Sequence, residues 1–133
     1  MLETNGYGDY EIDRAPTLKR AIRMAAKAIR VTGRPAGLVV WRGAHAWVMS
    51  GFKATGDPAF SNDYKIEKAI VSDPWYPRIS SIWGASRPPN SAVTLKQLSA
   101  DYLRYKRPAR RQPMRDGKYM LILPVLPPDT QVR

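Results

Sequence analysis

The sequence predicts a single α+β domain with an antiparallel sheet of about four strands and two main helices. Its 133 residues are enough for one globular unit. Apolar types make up 44% of the chain, well above the content of chains that stay disordered, so a packed core is expected. Short apolar runs between turn residues predict the strands. We expect one domain over residues 17–126, between an irregular arm at 1–16 and a tail at 127–133.

Residues 17–31 carry the clearest helical pattern. Apolar side chains recur there every three or four residues, which places them on one face of a helix. Thr17 is a suitable N-cap, and Gly33 followed by Pro35 supplies the stop. The opposite face is basic. We interpret it as the solvent side of a core-packed helix, although an anionic membrane or a nucleic acid could also dock there.

A β-hairpin is predicted next. Residues 37–41 form an apolar run typical of a short buried strand, and a turn at Gly43 leads into a second strand over residues 45–52. Side chains alternate between the two sides of a strand, so His45 and Trp47 are expected on the same side.

A third strand is predicted over residues 64–72. Alternation would place Ile66 and Ile70 on one side of it, and Pro74 ends it because proline has no N–H to donate to the sheet. Residues 75–90 are rich in Pro, Ser and Gly, and they are expected to form a long surface connection.

The last two elements are a second helix and a final strand. Thr94 can cap a helix that runs to about Tyr105 with its leucines facing inward. A turn at Gly117 then precedes an apolar strand over residues 119–125.

The chain is strongly basic, with a net charge of +11, which would attract polyanions at low salt. Ten Lys or Arg against two acids lie in residues 78–118. The segment 104–115, with Tyr102 and Tyr105 close by, comes nearest to a nucleic-acid-binding pattern. We favour the alternative that it is a solvated loop, because no recognised nucleic-acid motif accompanies the charge.

Composition also excludes several classes of protein. The 133 residues contain no cysteine, which excludes disulfide scaffolds, thiolate zinc sites and a catalytic thiol within them. No apolar run approaches the length of about 18 residues that predicts a membrane span. The first five residues lack the pattern of a secretory signal, so the cytoplasm is the default expectation. We expect no metal and no cofactor.

His45 and Asp73 are the candidate catalytic residues. His45 is the only histidine and opens a strand, and Asp73 closes the neighbouring one. If the two strands pair antiparallel, the carboxylate can approach the imidazole. A carboxylate that accepts the proton of Nδ1 would fix the tautomer and leave Nε2 as a general base. The alternative is a half-buried structural histidine beside an ordinary strand-ending Asp-Pro.

Three short motifs resemble the second half of papain-like cysteine peptidases. They are TGRPAGLVVW at residues 32–41, GAHAWVMSGF at 43–52 and VSDP at 71–74. The nearest resemblance is to the peptidases that process double-glycine leaders of bacteriocins, family thirty-nine of the cysteine peptidases. It implies a papain-like half-domain in which His45 is the general base and Asp73 its orienting acid.

The sequence departs from that family at the nucleophile. The family's catalytic Cys begins a helix that precedes the matched region, beside a side chain that stabilises the oxyanion, and neither has a counterpart in residues 1–16. Ser50 and Ser72 are poorly placed to replace the thiol. A base without a nucleophile cannot form the thioester intermediate. We therefore expect a truncated, split or non-catalytic relative that is inactive alone, with a complementary N-terminal lobe as a possible partner.

Trp41, Trp47 and Trp75 are expected to line a groove for an extended peptide beside His45. The alternative is that these indoles pack in the core and at its rim. Two other functions stay open, namely a small basic module that binds nucleic acid through residues 104–115 and a structural subunit completed by a separate chain.

Overall fold

The computed structural model describes residues 9–106 and 114–126, which form one six-stranded antiparallel sheet with a helix packed on one face. The helices are α1 (Leu18–Thr32) and α2 (Leu95–Leu98). The strands are β1 (Asp9–Ala15), β2 (Ala36–Val40), β3 (His45–Ala54), β4 (Ile66–Ser72), β5 (Ile79–Ser80), β6 (Gly84–Ala85), β7 (Ser91–Thr94) and β8 (Tyr119–Val125).

The strand order in the main sheet is β1-β8-β2-β3-β4-β7, and β5 and β6 form a separate small hairpin. The predicted α+β class with an antiparallel sheet is therefore confirmed. The sheet has six strands where about four were expected. In the part of the chain that the structure describes, no helix is long and apolar enough to cross a membrane.

Helix α1 follows the sequence pattern closely. The Thr17 side chain accepts a hydrogen bond from the backbone N–H of Arg20, and Gly33 ends the helix with a left-handed φ of 71°. Ala21, Ile22 and Ala25 are fully buried against the sheet. Because the apolar stripe is made largely of alanines, the helix can lie close to the strands beneath it.

The core lies between α1 and one face of the sheet. Register places Leu38 of β2 between Trp47 of β3 and Leu121 of β8, and all three side chains are buried. Neighbouring strands put residues that pair directly on the same face. This row therefore belongs to what we call the inner face of the sheet.

Three expectations about the strands are corrected. Within the irregular arm expected over residues 1–16, Asp9–Ala15 form a strand that pairs with all of β8. The rest of that arm, residues 1–8, and the tail expected at 127–133 lie outside the described residues. The long connection expected over 75–90 contains the β5–β6 hairpin. The third strand begins at Ile66 and contains a bulge, because Lys68 pairs with Lys53 but Ile66 pairs with Ala54. The bulge turns Ile66 into the core, so that it does not share a side of the strand with Ile70 as expected.

The second helix is much shorter than the expected span from Thr94 to Tyr105. It has the predicted cap, since Thr94 and Gln97 form a reciprocal capping box, but it ends at Leu98. Tertiary hydrogen bonds explain the early end. The N–H of Tyr105 donates to the carbonyl of Lys118, which draws this segment towards the turn before β8 instead of letting it continue as a helix.

Tyr102 ties that segment to β8. Its ring is fully buried, and its hydroxyl donates a hydrogen bond of 2.9 Å to the carbonyl oxygen of Met120. Burial, with a smaller contribution from Tyr119, raises the pKa of Tyr102 well above its ordinary value of 10.0. The folded protein therefore holds this proton at pH values at which the unfolded chain releases it.

Tyr102→Phe should reduce the fall in the free energy of unfolding that the wild type shows above pH 10. In the wild type, the contribution of Tyr102 to the free energy of unfolding is fully present below pH 10. It is lost as the pH rises towards the pKa of Tyr102 in the folded protein, because in that range the unfolded chain binds fewer protons than the folded one. The variant should also be less stable at pH 7 by about 1 kcal/mol, because the hydroxyl no longer satisfies the Met120 carbonyl.

Urea unfolding between pH 7 and pH 11 measures both effects. Tyr76→Phe is the matched control, because it removes the same hydroxyl group from an exposed tyrosine. An identical alkaline slope in wild type and Tyr102→Phe would contradict the assignment.

Candidate active site

The structure brings His45 and Asp73 into direct contact. Ring nitrogen Nε2 of His45 lies 2.6 Å from Oδ1 of Asp73. Register explains the contact, because Val48 of β3 pairs with Ser72 of β4, so the residue after β4 arrives beside the start of β3. The Asp73 side chain is fully buried and the His45 side chain is 22% exposed, so the pair has one covered and one accessible member.

The contact uses the opposite ring nitrogen from the one expected. Asp73 contacts Nε2, so Nδ1 is the ring nitrogen that the carboxylate leaves available. β4 ends at Ser72, which pairs with Val48, so Asp73 follows at the position facing Trp47. His45 lies two residues before Trp47 on β3, which makes the Asp73 carboxylate its diagonal neighbour. Nε2 lies further from the His45 backbone than Nδ1 does, so Nε2 is the nitrogen that reaches the carboxylate. Within residues 9–106 and 114–126, no hydrogen bond engages Nδ1.

The backbone after β4 holds the Asp73 carboxylate in place. Its Oδ1 also accepts a hydrogen bond of 2.9 Å from the backbone N–H of Trp75, which forms a tight Asx turn with Pro74 inside it. The N–H of Asp73 donates to the carbonyl of Arg87 at 3.3 Å. The carboxylate therefore cannot swing away from His45 without breaking the turn.

Two buried polar atoms near the pair have no partner among the residues described. They are Oδ2 of Asp73 and Nε1 of Trp47. Leaving a buried donor or acceptor unpaired costs about 1–3 kcal/mol, and such atoms gather at sites where function opposes stability. The surroundings of this carboxylate are therefore not arranged for stability alone.

The turn between β2 and β3 positions Trp41 over the imidazole. The expected strand over residues 37–41 ends one residue early, and Trp41 has a left-handed φ of 55°, followed by Arg42 at 56° and Gly43 at 100°. The Trp41 and His45 rings stack with centroids 4.4 Å apart. Positive φ in a bulky residue costs about 1–3 kcal/mol and is tolerated where the surroundings impose it.

Asp101 supplies that constraint on Trp41. The backbone N–H of Trp41 donates to the carbonyl of Asp101 at 2.8 Å, and the indole Nε1 donates to its carboxylate at 3.0 Å. The short helix α2 and the turn after it thus fix the orientation of the ring that covers His45.

Two further indoles complete an aromatic cluster, which consists of Trp41, Trp75, Trp83 and the His45 ring. Trp83 stacks on Trp41 at 5.9 Å, and Trp75 meets Trp41 edge-on at the same distance. Trp83 lies between β5 and β6, in the segment expected to be a plain connection. Sequence reasoning missed it because no periodicity marks such a short hairpin.

The three tryptophans expected to line a peptide groove occupy different environments. Trp47 is 1% exposed, so its indole packs in the core and does not line an open groove. Trp41 is also buried, beneath Trp83, while Trp75 is half-buried and lies 6.3 Å from the His45 ring. Of the three, only Trp75 combines partial exposure with closeness to the imidazole.

The remaining candidate residues lie away from the pair. The hydroxyl of Ser72 accepts a hydrogen bond from Asn90 on the face of the sheet opposite to His45, and Ser50 lies near the same asparagine. Most of the basic segment 104–115 falls in residues 107–113, outside the described residues. In the two described stretches, no group of three His, Asp or Glu side chains could hold a metal ion.

Comparison with protein-family models, with curated proteins and with solved structures gave no match for this chain.

The β2–β3 turn should tolerate no side chain at Gly43. A Cβ there would lie 2.4 Å from a ring carbon of Tyr105, and the φ of 100° is itself unfavourable for alanine. Gly33→Ala is the matched control, because its φ is also positive but nothing lies within 4 Å of the added carbon.

We expect Gly43→Ala to lower the free energy of unfolding by more than Gly33→Ala, with about 1 kcal/mol for the control and about 2–3 kcal/mol for Gly43→Ala. Urea unfolding of the two variants measures the difference. Equal losses would show that Tyr105 does not pack against the turn.

The neutral imidazole of His45 should carry its proton on Nε2. A carboxylate can only accept, so its contact with Nε2 selects that tautomer and leaves a lone pair on Nδ1. Nitrogen-15 NMR distinguishes the two ring nitrogens, and only one histidine contributes signals. Asp73→Ala should give a mixture of tautomers. A wild-type proton on Nδ1 would contradict the geometry.

Proposed function

We propose that this chain is a papain-like cysteine-peptidase domain that supplies the base and the orienting acid for peptide-bond hydrolysis. His45 is the base and Asp73 the acid, and the nucleophilic thiol comes from a cysteine that is not among these 133 residues. The observation that carries the proposal is the 2.6 Å contact between Nε2 of a partly exposed imidazole and a fully buried carboxylate.

The chemistry follows from the two ring nitrogens. Nδ1 of His45 accepts the proton of a cysteine thiol, and the thiolate attacks the carbonyl carbon of the scissile peptide bond. Asp73 stabilises the resulting imidazolium through Nε2, because the carboxylate already accepts from that nitrogen. Nδ1 then returns the proton to the leaving amine, and a thioester forms that water hydrolyses with the same base.

The surroundings of the pair support this division of roles. The Asx turn at Asp73 and the stack of Trp41 on His45 restrict both side chains, so the pair is preorganised. Stability alone would favour neither the strained turn at Trp41 nor an Asp73 Oδ2 that is buried without a partner among the described residues. The resemblance of residues 32–74 to papain-like peptidases assigns the same roles to the same two residues.

A small thiol can test the proposal by replacing the cysteine. Wild-type protein is mixed with p-nitrophenyl acetate and 2-mercaptoethanol, and acetyl transfer to the thiol is followed by release of nitrophenolate. We expect the wild type to accelerate the transfer above the protein-free rate, because Nδ1 removes the thiol proton. Asp73→Asn should slow it by on the order of tenfold, since an orienting partner contributes about that much.

His45→Gln gives the background rate of nitrophenolate release in this assay. The variant has no histidine but keeps the protein's other nucleophiles. The reaction without thiol is measured in parallel, so that direct acetylation of the imidazole is subtracted. Circular dichroism of each variant checks the fold. Equal thiol-dependent rates for wild type and His45→Gln would refute the proposed role of the base.

A further inference from the structure

The face of the sheet opposite to α1 carries apolar side chains that, among the described residues, are not part of the core cluster. We call it the outer face and define it by Ile12, Ile122, Val39, Val48 and Ile70. Register places Ile12, Ile122 and Val48 there, because Ile12 pairs with Ile122, Ile122 with Gly37, and Gly37 with Val48. Val39 lies two positions after Gly37 on β2, and Ile70 lies two positions before Ser72, the partner of Val48 on β4. Each lies one position away from an inner-face residue on its own strand.

These residues do not belong to the protein's core. Ile12 is 54% exposed and Val48 39%, and the other three are half-buried. None of the five is in the buried core or packs against it. An antiparallel sheet can leave one face in water, but that face then usually alternates to polar residues. Here the solvent side of five neighbouring strands holds isoleucine and valine.

The charged side chains that register places on the outer face are basic. Lys53 of β3 pairs directly with Lys68 of β4, and both are exposed. Like charges directly opposite each other destabilise a sheet. Arg14 occupies the same face on β1, opposite Met120. In the part of the chain that is described, none of these three side chains has an acidic partner.

We propose that the outer face binds an amphipathic α-helix of a partner polypeptide, with an apolar stripe flanked by aspartate and glutamate. The helix would bury the isoleucine and valine row, and its acids would pair with Lys53 and Lys68. A sheet that is apolar on both faces is completed by a layer on each, and α1 covers only the inner one. This inference stands on the outer face alone and does not depend on the proposed function.

Other occupants fit the outer face less well. A second copy would bring the same basic side chains against each other. A lipid bilayer favours side chains that protrude, whereas Val39, Ile70 and Ile122 are half-buried between their neighbours. Single-stranded nucleic acid is bound by stacking on aromatic rings, and the five defining residues are all aliphatic. A twisted sheet presents a saddle, which accommodates a helix.

A designed peptide serves as the probe. Six strands about 4.8 Å apart span about 24 Å, which matches a helix of about 16 residues. The probe is a fluorescein-labelled peptide of that length with a leucine stripe flanked by glutamates. A second peptide carries lysine at each glutamate position. We expect saturable binding of the acidic peptide, at least about tenfold tighter than binding of the basic one.

Two pairs of charge reversals distinguish the outer face from general attraction to a basic protein. Lys53→Glu with Lys68→Glu should weaken binding of the acidic peptide by on the order of tenfold. Lys19→Glu with Lys27→Glu makes the same change of net charge at exposed positions of α1. This second pair should alter the affinity for the acidic peptide by less than about twofold, because salt screens distant charges. Val48→Thr should also weaken binding, because it inserts a hydroxyl into the apolar row.

NMR locates the peptide on the protein. Methyl signals of Ile12, Val48 and Ile70 should shift on titration, while those of Ile22 in the core should not. Equal weakening by both charge-reversal pairs, or shifts confined to α1, would overturn the proposal. So would tighter binding of anionic vesicles or single-stranded DNA with the same dependence on Lys53 and Lys68, or a dimer formed through Val48.

Discussion

The antiparallel pairing of β3 with β4 is the interaction on which the rest of this structure depends. β3 is the longest strand, and it pairs with β2 along its first half and with β4 along its second. That central position lets it carry Trp47 into the core while its first residue, His45, stays at the edge. Because β4 runs in the opposite direction, its end brings Asp73 to the start of β3. A shift of one residue would turn Asp73 to the other face and separate the two side chains.

Local compromises collect around His45, whereas helix α1 shows none of them. Helix α1 has a satisfied cap, a left-handed glycine at its end and a uniform buried stripe. The β2–β3 turn instead places a tryptophan in the left-handed region, and one oxygen of the Asp73 carboxylate has no hydrogen-bond partner in the described part of the chain. Natural sequences depart from local rules mainly at functional or strained positions. This contrast within one small domain is the physical reason to look for chemistry at the pair and not at the helix.

The two faces of the sheet suggest two separate interactions. The inner face carries the core, and His45 lies at its margin under Trp41. The outer face carries an apolar row with basic neighbours, and it lies on the other side of the same strands. A partner on the outer face would therefore leave the imidazole accessible. Val48 and His45 are three residues apart on β3, so a partner that rigidified the outer face would also restrain the strand that holds His45.

Sequence alone determined the elements whose signals are local. The cap at Thr17 and the stop at Gly33 delimit α1, and alternation placed Trp47 with His45, because helix ends and strand faces depend on neighbouring residues. The approach of Asp73 to His45 could also be anticipated, since it needs only two adjacent antiparallel strands.

Tertiary structure decided what depends on distant partners. β1 carries its isoleucine on the outer face, so no core pattern marked it, and only the pairing with β8 makes it a strand. The early end of α2 follows from hydrogen bonds to the turn before β8, and Trp83 reaches the site only because a short hairpin folds back over Trp41. The choice of Nε2 belongs to the same group, because the diagonal distance between two strands cannot be read from the spacing of residues along one chain.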